Sequence, residues 1–374
     1  MEAHVDFFSV GRGLRQGVPL SPILFVLMED VLSINISALM EKGEMQPMVM
    51  KNGIHPTHLF FADDVFIFCN GGKKSLKNLF KLLDEYQVVS SQIINKNKSK
   101  LFVDGNSHIR RKLISNTIHM EVAKFPGKYF GVYLAPGKVT SAMVWHIVEV
   151  LQSKLAAWKG NLLSFHDRLV LVKSVLSILS IYNMSVYRRP SSVIKVCEKI
   201  IRNFLWTGDG DTRKFKTLSW KKVCTPYEEG VLGIKRLKVV NQSLLMKLMW
   251  RILNSDEEWA MFLSAKFQDR YGQWTSNWKQ STIWKGLKWA WNALKDDIRW
   301  KIGDVSHISV WFDIWLGENP LINDIGYTDF IKNNIGLKVN SLLSEGHWNI
   351  PIELQQYISN YKLPAVHGGV DIRL

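Results

Sequence analysis

Two adjacent carboxylates carry the chemistry in this sequence of 374 residues. Asp63 and Asp64 interrupt the apolar run His58-Leu-Phe-Phe-Ala-Asp-Asp-Val-Phe-Ile-Phe-Cys69. Short apolar runs rich in Phe, Ile and Val predict β-strands, and a polar pair between two of them predicts a hairpin tip. Two acids at the tip of a buried hairpin are costly unless water, hydrogen bonds or a cation compensates them. A divalent metal is the compensation that does chemistry, because hard Mg2+ prefers carboxylate oxygens together with substrate phosphates. A solvated Asp-Asp turn is the plain alternative, and the tetrapeptide taken alone leaves both open.

The flanking sequence supplies the elements that would position this pair. Upstream, the loop Gly11-Arg-Gly-Leu-Arg-Gln-Gly-Val-Pro-Leu-Ser-Pro22 is punctuated by Gly and Pro. It runs into Leu20, Ile23, Leu24, Leu27, Met28, Val31 and Leu32, whose spacing is that of one helix face. A second helix is expected from about Ser75 to Val89, with Ser75 as its N-cap. Then Ser90-Ser-Gln-Ile-Ile-Asn-Lys-Asn-Lys-Ser-Lys100 leads into the apolar stretch Leu101-Phe-Val103, and Lys128-Tyr-Phe-Gly-Val-Tyr-Leu134 reads as a strand.

A Gln-Gly loop opening a helix, a two-Asp hairpin, an Asn/Lys loop and a Tyr-x-Gly strand, in this order, resemble the palm of non-LTR (LINE-type) retrotransposon reverse transcriptases, particularly the plant group. The resemblance extends over nearly the whole chain. Trp158-Lys-Gly-Asn-Leu-Leu-Ser164, Arg168 through Leu176 and Phe204-Leu-Trp-Thr-Gly208 are similar to the helical segment after the palm. Ser219-Trp-Lys-Lys-Val-Cys-Thr-Pro226, Gly230-Val-Leu-Gly-Ile234, Trp300-Lys-Ile-Gly-Asp304 and Trp311-Phe-Asp-Ile-Trp-Leu-Gly317 extend it toward the C-terminus.

The resemblance implies an RNA-directed DNA polymerase acting on an RNA template, a DNA primer and dNTPs, with Mg2+ as cofactor. Nucleotide addition is then an in-line phosphoryl transfer in which two metal ions clamp the attacking and leaving oxygens. Asp63 and Asp64 would be the metal-binding, catalytic hairpin pair. Lys98 would neutralise charge developing on pyrophosphate. Arg15, Gln16 and Gly17 would lie against template and nucleotide, and Tyr129 and Gly131 would belong to the primer grip. Three positions depart from the family pattern: Val18 stands where Asp is usual, Ser91 where Gly is common, and Phe130 where Leu is frequent. A first catalytic Asp, expected on a strand upstream of Gln16, has no match; Asp6 stands in the wrong context. The chain alone is therefore expected to be inactive or nearly so, because a misplacement near one ångström costs on the order of a hundredfold in rate.

Charge and tryptophan divide the chain. All fifteen tryptophans lie at or after Trp145. Residues 151–250 carry eighteen Lys/Arg against six Asp/Glu, so most of the net charge of +15 sits there. That region is helical by pattern: Val144, Ile147, Val148, Leu151 and Leu155 keep a 3.6-residue period, as do Leu169, Val172, Val175, Leu176 and Leu179. Positive charge on a helical lobe suits a nucleic-acid backbone. Arg188, Arg189, Arg213, Lys214 and Lys216 are the candidate contacts, and Trp206 and Trp220 would either stack on bases or complete the core. Cys69, Cys197 and Cys224 have no metal-ligand spacing and fit a reducing compartment. Neither a secretory signal nor an unbroken apolar run of membrane-spanning length is apparent, so an intracellular setting, nuclear or cytoplasmic, is expected, without a membrane partner.

The expected fold is α/β (α+β): a partial polymerase palm over 1–135, a mainly α-helical, basic, thumb-like lobe over 136–255, and a small Trp-rich α+β module over 256–374. The other function class is a non-catalytic nucleic-acid-binding remnant or decayed transposon-derived protein, which Val18 and Ser91 favour.

Overall fold

The computed structural model describes residues 13–15, 17–103, 107–158, 160–179, 181–212, 218–275, 281–303, 308–344, 347–366 and 369–374. They form a mixed fold, mainly helical with small sheets, and fall into two compact units. One runs to Gly127 and takes in Asp256–Lys266; the other comprises Lys128–Ser255 and Phe267–Leu374.

The first unit is built on α1 (Leu20–Glu41), the antiparallel hairpin β1 (His58–Phe61) and β2 (Asp64–Ile67), then α2 (Lys73–Ser90) and α3 (His108–Ile118). Its core joins Leu32, Ile36 and Met40 of α1 to Leu79 and Leu83 of α2, with Phe60 and Ile67 of the hairpin packed against them. A smaller cluster, Leu76 with Ile114 and Ile118, fastens α3 to α2. The expected apolar face of α1 is only partly a core face. Leu32 is buried, but Leu20, Ile23, Leu24, Leu27 and Val31 are exposed. By length and composition α1 is also the one described helix apolar enough to cross a membrane.

Ser75 is not the N-cap of α2. The helix starts two residues earlier with Gly72 as N-cap, and the buried Ser75 hydroxyl accepts the Gln46 N–H at 3.1 Å. The helix ends on Ser91 in the left-handed region, φ 58°, where glycine is favoured. This gives a physical reason for the glycine common at that point in the resembling family.

The boundary between the units falls within β3 (Gly127–Tyr129), which pairs with β4 (Val132–Leu134) at the start of the second unit. The expected single strand is thus a hairpin. Phe130 and Gly131 at its tip both have positive φ, 43° and 76°, the signature of a tight two-residue turn. The helices α4 (Ser141–Val144), α5 (His146–Ala157), α6 (Phe165–Leu171), α7 (Ile181–Met184) and α8 (Ser191–Thr207) follow. In α8, Val193, Ile194, Cys197, Ile200, Ile201, Phe204 and Leu205 are buried, an apolar stripe at helical spacing. The core also takes in Val144, Ile147, Val148, Leu151, Leu155, Val172 and Leu176; of the other positions marked by periodicity, Leu169 and Leu179 are partly buried against it and Val175 is half-buried.

After the short α9 (Trp220–Val223), α10 (Leu237–Asn254) packs on α7 and α8. The Glu198 carboxylate of α8 accepts the Leu237 N–H at 3.0 Å and so satisfies a free donor at the start of α10. Buried Asn241 fixes the crossing: its amide donates to the carbonyls of Met184 (2.7 Å) and Tyr187 (3.2 Å), and its oxygen accepts the Arg189 N–H at 3.0 Å. Two glycines bring α8 against the loop before α6. A Cβ on Gly160 would stand 2.3 Å from the Gly208 carbonyl oxygen, and one on Gly208 would stand 2.5 Å from the Gly160 backbone.

Helix α11 (Glu258–Phe267), all but its last residue in the first unit, and α12 (Trp284–Leu294) of the second unit come next in the chain. Helix α12 packs on α10, with Leu245 against Gly286. Trp284 stacks on Phe267 and Trp274. A separate core around Trp311, Trp315, Leu316 and Leu342 closes the chain, where β5 (Trp300–Lys301) pairs antiparallel with a terminal strand, Ile372–Arg373. Two indoles of this core are satisfied: Trp311 donates to the Asn334 carbonyl at 2.7 Å and Trp315 to the Val310 carbonyl at 2.9 Å. Asp313 accepts the Ser309 N–H at 2.7 Å. Asp304 lies outside the described residues.

Candidate polymerase hairpin

The pairing His58↔Ile67, Leu59↔Phe66, Phe60↔Val65 and Phe61↔Asp64 leaves Ala62 and Asp63 as the turn. Residues directly opposite one another share a face. His58, Phe60 and Ile67 therefore face the core, while Asp64 shares the other face with Leu59 and Phe61, which are exposed. Ala62 sits at φ 49°. A left-handed alanine costs about 1–2 kcal/mol, so strain is stored at the tip beside the two acids. Such strain persists only where surrounding structure imposes it.

The hairpin base is fixed by His58, whose ring nitrogens lie 2.7 Å from the Ser33 hydroxyl of α1 and 2.7 Å from the Thr57 hydroxyl. Burial pushes this imidazole below its usual range. Both Asp63 and Asp64 are exposed, and no ion pair among the described residues engages either one. In kind, two exposed carboxylates fit a hard divalent cation. They are only a partial donor set: among the described residues no group of three or more His, Cys, Asp or Glu is placed to hold a metal.

Glu29 of α1 is the acid that sequence reasoning passed over. It accepts the Tyr86 hydroxyl at 3.1 Å. Burial raises its carboxyl, and the Asp63 charge adds to that, against hydrogen bonds from Tyr86 and Gln92. Burial beside Glu29 pushes the Tyr86 phenol up to about 12. An acid inside the apolar stretch Phe25-Val-Leu-Met-Glu29 was the available signal. Through Gln92 the Asn/Lys loop is tied to α1; Ile94 packs into the same core and its N–H reaches the Gln87 side chain at 2.9 Å. Lys98 is exposed on that loop, its N–H on the Asn95 side chain at 3.1 Å.

The other candidates are more scattered. Arg15 is exposed and its carbonyl accepts the Ser21 hydroxyl at 2.7 Å. Gly17 has φ +84° with open space around it. Tyr129 and Gly131 lie in the second unit, the Tyr129 ring edge-on to Phe130 at 4.4 Å. Arg188 is exposed over the Trp289 ring at 4.6 Å. Arg189, expected on a nucleic-acid face, is instead 3% exposed, and burial lowers its guanidinium. In this arrangement it does not present a cation to a phosphate. Trp206 and Trp220 pack on the helical core. Gln16, Arg213, Lys214 and Lys216 lie outside the described residues.

Residues 2–134 match the family model "Reverse transcriptase (RNA-dependent DNA polymerase)", a stretch that contains the hairpin. Over that stretch the chain is similar to reverse transcriptases. A putative ribonuclease H protein of Arabidopsis thaliana is 32% identical over 187 residues, 47% of this chain and 29% of that protein. An uncharacterized mitochondrial protein of the same plant is 29% identical over 151 residues, 38% of this chain and 96% of its own length. A second one is 48% identical over 54 residues, 14% of this chain and 44% of that protein. The chain thus spans less than a third of the first of these relatives. The Asp63–Asp64 tip stands within the matched residues, and the basic helices after Leu134 stand outside them.

Proposed function

We propose that the chain is a polymerase fragment whose hairpin carboxylates bind the catalytic metal for RNA-directed DNA synthesis. The observation that carries this reading is the Asp63–Asp64 tip, exposed and held by no ion pair among the described residues, inside reverse transcriptase sequence. Asp63 and Asp64 supply hard oxygen ligands, and a divalent cation bound there offsets charge on the nucleotide phosphates. Core packing through Phe60 and Ile67 holds the tip, and the His58–Ser33 contact holds its base. Lys98 offers a positive charge from a loop anchored to the same core. In this reading the first unit serves as the palm, the basic helices after Leu134 as a thumb-like lobe that grips template and primer through residues such as Arg188, and the tryptophan-rich remainder as a supporting module. Template access places the protein inside the cell, in the nucleus or cytoplasm.

With two such carboxylates placed together among the described residues, the chain by itself should extend a primed RNA template in Mg2+ at trace level at most. Asp63→Asn/Asp64→Asn should abolish that extension and weaken Mn2+ binding read by water proton relaxation. Extension or Mn2+ binding that survives the double substitution overturns the role of the hairpin. A non-catalytic nucleic-acid-binding remnant is the second reading, favoured by the incomplete donor set; a folded chain that binds primed template but neither extends it nor binds Mn2+ would establish it.

A further inference from the structure

Helices α2 and α3 lie side by side with their N-terminal ends together. The Arg110 guanidinium donates to the Asn70 carbonyl at 2.6 Å. A Cβ on Gly71 would meet Ile114 at 3.0 Å, and Thr117, further along α3, lines the same groove as Lys77 and Phe80. That groove holds about 470 Å³. Leu76 and Phe80 are apolar members of its lining, and Lys73, Lys77 and Lys81 stand along it.

Four-residue spacing puts the three ammonium groups on one helix face, about 6 Å apart along the axis. All three lysines are exposed. No ion pair among the described residues holds Lys73 or Lys77, and Lys81 meets Glu85 only at 3.8 Å with both side chains in solvent, a pair worth little. Lys74, Arg110, Arg111 and Lys112 extend the positive charge, while Asp84 and Glu85 mark the far end of the ladder. The first turns of both helices contain no acid and several cations. Helix dipoles disfavour cations there, so local helix stability does not account for this charge.

We propose that the α2–α3 groove is a contact surface for a single-stranded nucleic-acid backbone. It rests on the polymerase reading and adds to it a strand path away from the Asp63–Asp64 tip. The lysine ladder matches a polyanion in sign and in regular repetition. Half-buried Phe80 offers a ring on which a base can lie. Asp84 and Glu85 repel a strand that runs on, which limits the ladder to about three phosphates.

The test is binding of the full chain to a fluorescent single-stranded oligonucleotide, by anisotropy, over a series of KCl concentrations. Each phosphate contact on a single strand contributes about 0.7 to the slope of log K against log salt. Lys73→Gln/Lys77→Gln/Lys81→Gln should therefore flatten the slope by about 2, and the corresponding triple Arg variant should keep it. Lys301→Gln/Lys332→Gln/Lys362→Gln, which removes the same charge from exposed positions elsewhere, should leave the slope nearly unchanged. A wild-type slope in the α2 triple Gln variant, or an equal loss in the control, overturns the groove alone. Displacement of the oligonucleotide by polyglutamate at equal charge reassigns the groove to an acidic protein partner. No binding by the folded wild-type chain overturns both the groove and the polymerase reading.

Discussion

Replacing Gly160 with alanine puts a methyl group where the structure has none to spare. The new carbon would stand 2.3 Å from the Gly208 carbonyl oxygen and 2.4 Å from the buried Phe204 ring, against 3.4 Å or more for ordinary contact. Neither neighbour can rotate away. The carbonyl is main chain at the end of α8, where the Gly208 N–H is already bonded to the Phe204 carbonyl at 2.8 Å, and the ring is fully buried in the helical core. The backbone must then retreat by about an ångström, and overpacking of this kind costs about 1–3 kcal/mol. With backbone on one side and a locked ring on the other, the upper end is expected. At a slope of roughly 2–3 kcal/mol per molar urea, the unfolding midpoint of Gly160→Ala should fall by about 1 M. Gly208→Ala should cost more, because φ +78° adds left-handed strain of about 1–2 kcal/mol to the same clash. Gly336→Ala is the control: its Cβ would meet only Tyr271, at 3.9 Å. Urea titrations followed by circular dichroism and tryptophan fluorescence decide the matter. A Gly160→Ala midpoint within error of the Gly336→Ala control refutes the close approach.

Two further outcomes follow from single residues. Ser91→Gly should stabilise the first unit by about 1 kcal/mol, since the native φ of 58° suits glycine; a lower melting temperature in this variant would contradict the left-handed cap. Burial depresses the His58 imidazole in the folded chain, so the unfolded chain takes up its proton first. The stability owed to neutral His58 is then complete above the unfolded value of about 6.5 and is lost as pH falls below it. His58→Gln should flatten the decline in urea midpoint between about pH 7 and pH 5, and equal slopes in the two proteins would refute the assignment.

The hairpin was legible because its signal is local: two apolar runs, two acids, and nothing between them that a strand forbids. Burial of Val148, Leu151, Val172 and Leu176 was legible for the same reason, through helical period. What escaped depends on contacts distant in sequence. Periodicity shows that α1 has an apolar face but not what covers it, and the row from Leu20 to Val31 proved exposed. Arg188 and Arg189 read alike as neighbours, yet one lies over Trp289 in solvent and the other is sealed in the core behind Asn241. The Glu29–Tyr86 contact joins residues 57 apart, and no pattern in the intervening sequence announces it. Three-residue strands are too short to show alternation, which is why Lys128–Leu134 read as one strand; the Phe-Gly pair at its centre was the turn signal.

The uncovered row on α1 bears on what becomes of the protein after synthesis. Leu20, Ile23, Leu24, Leu27, Val31 and Ile34 are exposed among the described residues, so packing of the described cores does not remove the surface that chaperones and proteases sense. Steady-state abundance is then governed by that surveillance as well as by the unfolding equilibrium. A chain of this kind is expected to be short-lived and chaperone-bound in cells even when every core described above is intact.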